Sequence, residues 1–296
     1  MHSLIIGSHS LTWGERTYVM GILNLTPDSF SGDGLFDPSS LAGQGEESGL
    51  QEARRFLAAG VDILDIGGES SRPGSQPVAA EEELRRVLPT IRAIAAEFPD
   101  ALISIDTYKA EVAEEALKAG ASIVNDVWGL RADPGLAGTV ARSQAAVVLM
   151  HNRSKPANVE VRERLGKAYL GVEYQNLLDE VKSELLESVA VARSAGIPEE
   201  HIILDPGLGF GKTVGQNLEL INRLDEIRAL GFPVLLGPSR KSFIGYTLDL
   251  PLNQRLEGTA ASVAIGIARG ADIVRVHDVE SMLRLVHMTD AIVRKN

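Results

Sequence analysis

Nine polar residues stand where short apolar runs end: Asn24, Ser71, Arg72, Asp106, Asn125, Asp205, Lys241, Arg275 and His277. Their types sort into two chemistries. Asp106, Asn125 and Asp205 suit a flat, amidine-like heterocycle, because a carboxylate accepts paired hydrogen bonds from an N–H/NH2 edge and an asparagine offers donor and acceptor together. Met150 and Phe210 can pack the faces of such a ring. Arg72, Lys241, Arg275 and His277 form a cationic set suited to a phosphate or diphosphate. Together they describe a site for a polar ring with an anionic leaving group. Taken singly, each has a plainer alternative: Asp106 and Asp205 as helix N-caps, Asn125 as a turn residue, His277 as a surface histidine. Their recurrence at strand ends is what favours a site.

The elements that must position them follow one rhythm. In VMGILNLTPDSFSGDG (19–34) an apolar strand stops at Asn24 and gives way to a polar, glycine-spaced loop. The same pattern returns along the chain. Strands are expected at 18–25, 61–66, 102–105, 121–124, 145–150, 202–204, 233–236 and 271–276. Helical periodicity is expected at 46–59, 79–98, 109–119, 134–143, 169–195, 214–230, 255–269 and 279–294. Eight strand–helix units predict a closed (β/α)8 TIM barrel, an α/β fold whose strand ends converge on one mouth. A doubly wound open sheet is the alternative. Residues 1–16 predict a short hairpin lying as a lid over one barrel end, so the chain divides into an amino-terminal extension (1–17) and a barrel domain (18–296).

Composition narrows the partners. With 29 Lys and Arg against 40 Asp and Glu, the net charge of -11 argues against nucleic acid or an anionic membrane as the main partner. A few local cations still suffice for an anionic small substrate. Cysteine is absent, which excludes thiolate metal sites and cysteine nucleophiles. No apolar run is long enough to span a bilayer and the amino terminus is not signal-like, so the expected location is cytoplasmic. GLGFGKT (207–213) looks like a P-loop but has Pro206 where the motif needs its first glycine, and Lys212 breaks the dinucleotide fingerprint.

The segments VMGILNLTPDSFSGDG, DIGGESSRPGS, ISIDTYK, IVNDVWG, LDPGLGFGK, LLGPSRKSFIG and VRVHD, in that order, resemble the dihydropteroate synthases of folate biosynthesis. The resemblance runs from Tyr18 to nearly the end of the chain. It implies a (β/α)8 barrel that joins 6-hydroxymethyl-7,8-dihydropterin diphosphate to 4-aminobenzoate, releases diphosphate and is the target of sulfonamides. By position it implies that Asp106, Asn125, Asp205 and Lys241 hold the pterin, with Met150, Phe210 and Gly237 lining its slot. Ser71 falls where the family commonly has threonine. Asn24 matches the residue that binds Mg2+ together with the diphosphate. Arg72, Arg275 and His277 match anion-binding positions, and Pro73 and Ser239 match residues beside the aminobenzoate. The family also implies a homodimer. One departure is Ser31-Gly32-Asp33-Gly34, where many members have Ser-Asp-Gly-Gly.

The chemistry expected is early C–O cleavage at a CH2 on an electron-rich ring, with Asp106 and Asp205 stabilising the cationic ring and Lys241, Arg275 and His277 in the catalytic set. An aryl amine is a competent nucleophile at neutral pH, so no dedicated general base is expected. Gly32, Gly34, Gly67, Gly68 and Gly74 are expected to let two loops close over the reactants. Alternative functions are a pterin-dependent methyltransferase, which needs no diphosphate site, a non-catalytic pterin-binding paralogue, and a ligand-free oligomerising barrel.

Overall fold

The computed structural model describes residues 3–7, 9–26, 44–71, 74–155, 158–162 and 164–294, with the side chains of 44–46 excepted. Residues 27–43, with the altered loop around Asp33, and Arg72 and Pro73 lie outside the described residues. An antiparallel hairpin, β1 (Ser3–Ile6) and β2 (His9–Thr12), comes first. The barrel then opens with β3 (Tyr18–Asn24), β4 (Ile63–Gly67), β5 (Leu102–Asp106), β6 (Ile123–Asp126) and β7 (Ala146–Met150). A second hairpin, β8 (Val159–Arg162) and β9 (Gly166–Tyr169), interrupts it before β10 (Ile202–Asp205), β11 (Leu235–Leu236) and β12 (Ile273–Val276). The eight barrel strands are parallel in the order β10-β7-β6-β5-β4-β3-β12-β11. A parallel bridge between Leu204 and Val234 joins the two end strands and closes the ring.

The helices are α1 (Gln44–Ala59), α2 (Ala80–Glu97), α3 (Ala110–Ala119), α4 (Leu136–Ser143), α5 (Leu177–Ser194), α6 (Val214–Asn222), α7 (Leu224–Arg228), α8 (Ser242–Leu248), α9 (Leu256–Ala268) and α10 (Val279–Val293). They bury their apolar faces against the outward residues of the strands, such as Leu23, Leu64, Ile66 and Val124, in one continuous core. Among the described residues no helix is long and apolar enough to cross a membrane.

Three expected elements differ. The helix expected at 169–195 begins only at Leu177, where Asn176 accepts a hydrogen bond from the Asp179 N–H at 3.3 Å and Glu180 accepts from Gln175 and Asn176. Ahead of it, alternating Val159-Glu160-Val161-Arg162 and a left-handed Gly166 make the hairpin β8–β9 instead. The expected helix at 214–230 breaks at Arg223 into α6 and α7, and the segment after β11 folds into α8.

Strand alternation gives the barrel two interior levels. The lower level is apolar, with Tyr18, Met20, Ile63, Leu102, Ile123, Ala146, Val148, Ile203, Leu235 and Ile273 packed together. The first hairpin seals it as expected: Leu4, Leu11 and Trp13 join that cluster, and Trp13 meets Tyr18 edge to face at 5.6 Å. Two residues further along the same faces the interior turns polar, with Asp65, Ser104, Asn125 and Arg275.

Leu4 is fully buried in this seal. Its replacement by alanine is expected to cost about 3 kcal/mol of unfolding free energy, as a large-to-small change in a packed core. Urea denaturation reads it, and an unchanged midpoint would mean that the hairpin lies outside the cooperative core.

Candidate functional site

The parallel register sets the site. Asn24 is paired with Gly67, Gly67 with Asp106, and Asp106 with Asn125, so one row crosses β3 to β6 at the carboxyl ends of the strands. β7 and β10 continue beyond β6, and there Asp205 is paired with Met150. Gly67 leaves this row open, since a Cβ there would stand 3.5 Å from the Asp106 Cβ and 3.9 Å from Asn24 Oδ1.

Arg275 reaches up from β12 into the row. Its Nε donates to Asp65 Oδ2 at 2.5 Å and its Nη2 to Asp106 Oδ2 at 2.6 Å. Asn125 Nδ2 donates to the same Asp65 oxygen at 3.1 Å. Asp65 is fully buried and was not among the residues expected from sequence. The available signal was a charge inside an otherwise apolar parallel strand, which has to face a partner because an unpaired buried carboxylate is too costly. The two partners hold the Arg275 guanidinium firmly charged.

Neither aspartate is a helix cap. Lys109 and Thr213 occupy the N-cap positions of α3 and α6, and Asp133 supplies the acceptor for the Ala110 N–H. Asp205 accepts the Gly207 N–H at 2.7 Å and is pushed upward by burial, against the pull of Lys241. Burial likewise pushes Asp106 up to about 7, against Arg275. Lys241 Nζ donates to the Leu208 carbonyl at 2.5 Å and sits 4.8 Å from the Phe210 ring centroid. Its pKa is lowered to about 8 by burial.

At the β11–β12 edge, the buried Ser239 hydroxyl lies 3.0 Å from His277 Nδ1 and accepts the His277 N–H at 3.2 Å. Here Ser239 positions the histidine. Gly237 stands between Arg275 and Lys241, with its would-be Cβ 3.8 and 4.0 Å from their side chains. Half-buried Ser71 lies on the loop after β4. Glu69 secures this loop by pairing with Lys109, which also pairs with Glu83. At Gly68, one of the glycines expected to serve loop closure, a Cβ would stand 2.8 Å from Val87, so close packing there also calls for glycine.

The loop after β10 shows why the P-loop likeness is only apparent. Gly207, Gly209 and Gly211 all have positive φ, and a Cβ at Gly207 would stand 1.8 Å from the His151 carbonyl. Lys212 turns inward rather than toward a phosphate: its Nζ donates to the carbonyls of Gly207 (2.9 Å) and Phe210 (3.0 Å) and lies 2.9 Å from His151 Nδ1. His151 Nε2 in turn lies 3.2 Å from Glu184 Oε2. Burial lowers Lys212 to about 7 and His151 to about 4. This buttress was also missed from sequence, where Lys212 was weighed only against phosphate motifs.

Carboxylates and an amide at neighbouring strand ends, with a methionine, an aromatic ring and cations beside them, define an α/β barrel with a polar site at its mouth. Residues 20–277 match the family described as pterin binding enzyme. The dihydropteroate synthase of Clostridium beijerinckii is 47% identical over 291 residues, covering 98% of this chain and 99% of that one. Among solved structures, the dihydropteroate synthase of Clostridium difficile, crystallised in the presence of pteroic acid, superposes with a TM-score of 0.84 at 46% identity, covering 96% of this chain and 99% of that one. That of Xanthomonas albilineans with 4-aminobenzoic acid gives 0.85 at 37% identity, covering 98% and 97%. The chain belongs to the pterin-binding enzymes and, within them, to the dihydropteroate synthases.

The raised Asp106 and lowered Lys241 values fix a pH dependence. Asp106 takes up a proton below about 7 and Lys241 loses one above about 8. Pterin affinity is therefore expected to peak between these values and to fall on both sides. In Asp106→Asn the share of the acid-side fall carried by Asp106 is expected to vanish while that of Asp205, also raised by burial, remains, as pterin fluorescence titrations across pH would record.

Proposed function

We propose that this protein condenses 6-hydroxymethyl-7,8-dihydropterin diphosphate with 4-aminobenzoate, giving 7,8-dihydropteroate and diphosphate. The observation that carries this reading is that Asp106, Asn125 and Asp205 stand at the carboxyl ends of β5, β6 and β10, with Arg275 bonded to Asp106 and Lys241 beside the Phe210 ring. The pterin's amidine edge is read by the carboxylates and Asn125, and Met150 and Phe210 flank its faces.

The C–O bond between the ring's CH2 and the diphosphate breaks with its electron pair leaving on oxygen. Asp106 and Asp205 stabilise the charge that develops on the ring, while Lys241, Arg275 and His277 supply positive charge toward the departing group. The amine nitrogen then bonds to the CH2 and gives its proton to solvent, so no carboxylate has to act as its base.

Mg2+ is part of this proposal. Asn24 ends β3 in the same row and offers one amide oxygen. Among the described residues no group of three or more His, Asp or Glu is placed to hold a metal. The residues therefore suit an ion that takes most of its ligands from diphosphate and water, as Mg2+ does. Bound there, it would neutralise charge on the leaving group. A homodimer is proposed as well, formed through α9 and α10, where Ile265, Met288 and Ile292 are 50%, 63% and 67% exposed.

Diphosphate release from the pterin diphosphate with Mg2+ and 4-aminobenzoate tests the reaction. Asp205→Ala is expected to lower kcat/KM by roughly 100-fold or more, about 3 kcal/mol. Tight pterin binding without pteroate formation would overturn the synthase reading. For the ion, Asn24→Ala is expected to weaken diphosphate binding only when Mg2+ is present, as calorimetry would show. For the dimer, an Ile265→Asp, Ile292→Asp double variant should sediment as a monomer where the wild type does not.

A further inference from the structure

The hairpin β8–β9 has no place in the chemistry above, yet it lies across the site. The Tyr169 hydroxyl, at the end of β9, donates to the Ser71 carbonyl at 3.2 Å, in the loop after β4. The Tyr169 ring lies 5.9 Å from the Phe210 ring, tilted by 34°, in the loop after β10. In the ring order of the strands, β4 and β10 stand four places apart among eight, which puts them on opposite sides of the barrel. The Tyr169 side chain therefore joins loops that rise from opposite sides of the barrel mouth.

The hairpin is fixed at its other end too. Arg255 Nη2 donates to the Leu165 carbonyl at 2.7 Å, and the Arg162 guanidinium stacks 4.2 Å above the Tyr246 ring. Arg255 is itself buried, so this anchorage belongs to the folded core rather than to a surface flap.

We propose that Tyr169 is a substrate-positioning residue that packs the aryl-amine half of the reacting pair and forms the roof of its subsite. The inference rests on the synthase reading. Phe210 flanks the slot for the first ring, and Tyr169 continues that aromatic wall outward toward the Ser71 loop. In the product the second ring hangs from the first by a two-atom CH2–NH link, so it has to lie along this continuation. With its hydroxyl held on a backbone carbonyl, the Tyr169 ring is fixed before the ligand arrives, and little ordering entropy opposes binding.

Calorimetric titration of the full-length wild type, Tyr169→Ala and Tyr169→Phe with two probes, 6-hydroxymethylpterin and pteroate, tests this. Tyr169→Ala is expected to weaken pteroate roughly tenfold while changing the pterin alone less than about twofold, the scale of one lost aromatic contact. Tyr169→Phe keeps the ring and should keep most of the pteroate affinity. In turnover, the alanine variant should raise KM for 4-aminobenzoate and leave KM for the pterin diphosphate in place. Equal losses for both probes would mean that the hairpin merely holds the slot together and would overturn the proposal, as would no loss for either. A wild type that binds both probes but makes no pteroate sinks the synthase reading, while the two-probe comparison still decides the role of Tyr169. A wild type that binds neither sinks both.

Discussion

The structure depends on the compensation of charge inside the barrel. Arg275 is held between Asp65 and Asp106, and Asn125 leans on the same Asp65 oxygen. Removing one partner from such a buried set typically costs about 3–5 kcal/mol, because the remaining charge is stranded. The set therefore locks β4, β5, β6 and β12 into one register at the level where the interior changes from apolar to polar. A planar ring then meets a floor already ordered by its own ion pairs, and little reorganisation is left for the reaction.

Around that floor the loops are braced by buried groups. Lys212 gathers the carbonyls of the loop after β10 and rests on His151, which faces Glu184 on α5. Lys109, between Glu69 and Glu83, does the same for the loop after β4. In each case a cation serves the backbone or a neighbouring carboxylate, so a count of cations from sequence overstates what remains for an anionic substrate.

Much of this was legible in the sequence. Parallel strands buried on both faces read as short apolar runs that end in polar residues, which is why all eight barrel strands and the row of Asn24, Asp106, Asn125 and Asp205 could be placed. Asp65 carries no strand-end signal, because it points into the barrel two residues before its strand stops. The hairpin β8–β9 falls almost wholly in the charged connector ahead of the helix expected at 169–195, where strands of only four residues each among charges give little signal. Asn176 and Gly166 carried the correction, as a cap and a turn.

The seal made by Leu4, Leu11 and Trp13 also shapes traffic. With the lower end plugged, the vessel has one doorway, and everything that enters or leaves shares it. Under the reaction proposed above, a ring docked on the carboxylates would lie inside the amine, so it would have to enter ahead of it. The joined product would then have to clear the entrance whole before a second pterin could follow. A barrel open at both ends would impose no such sequence.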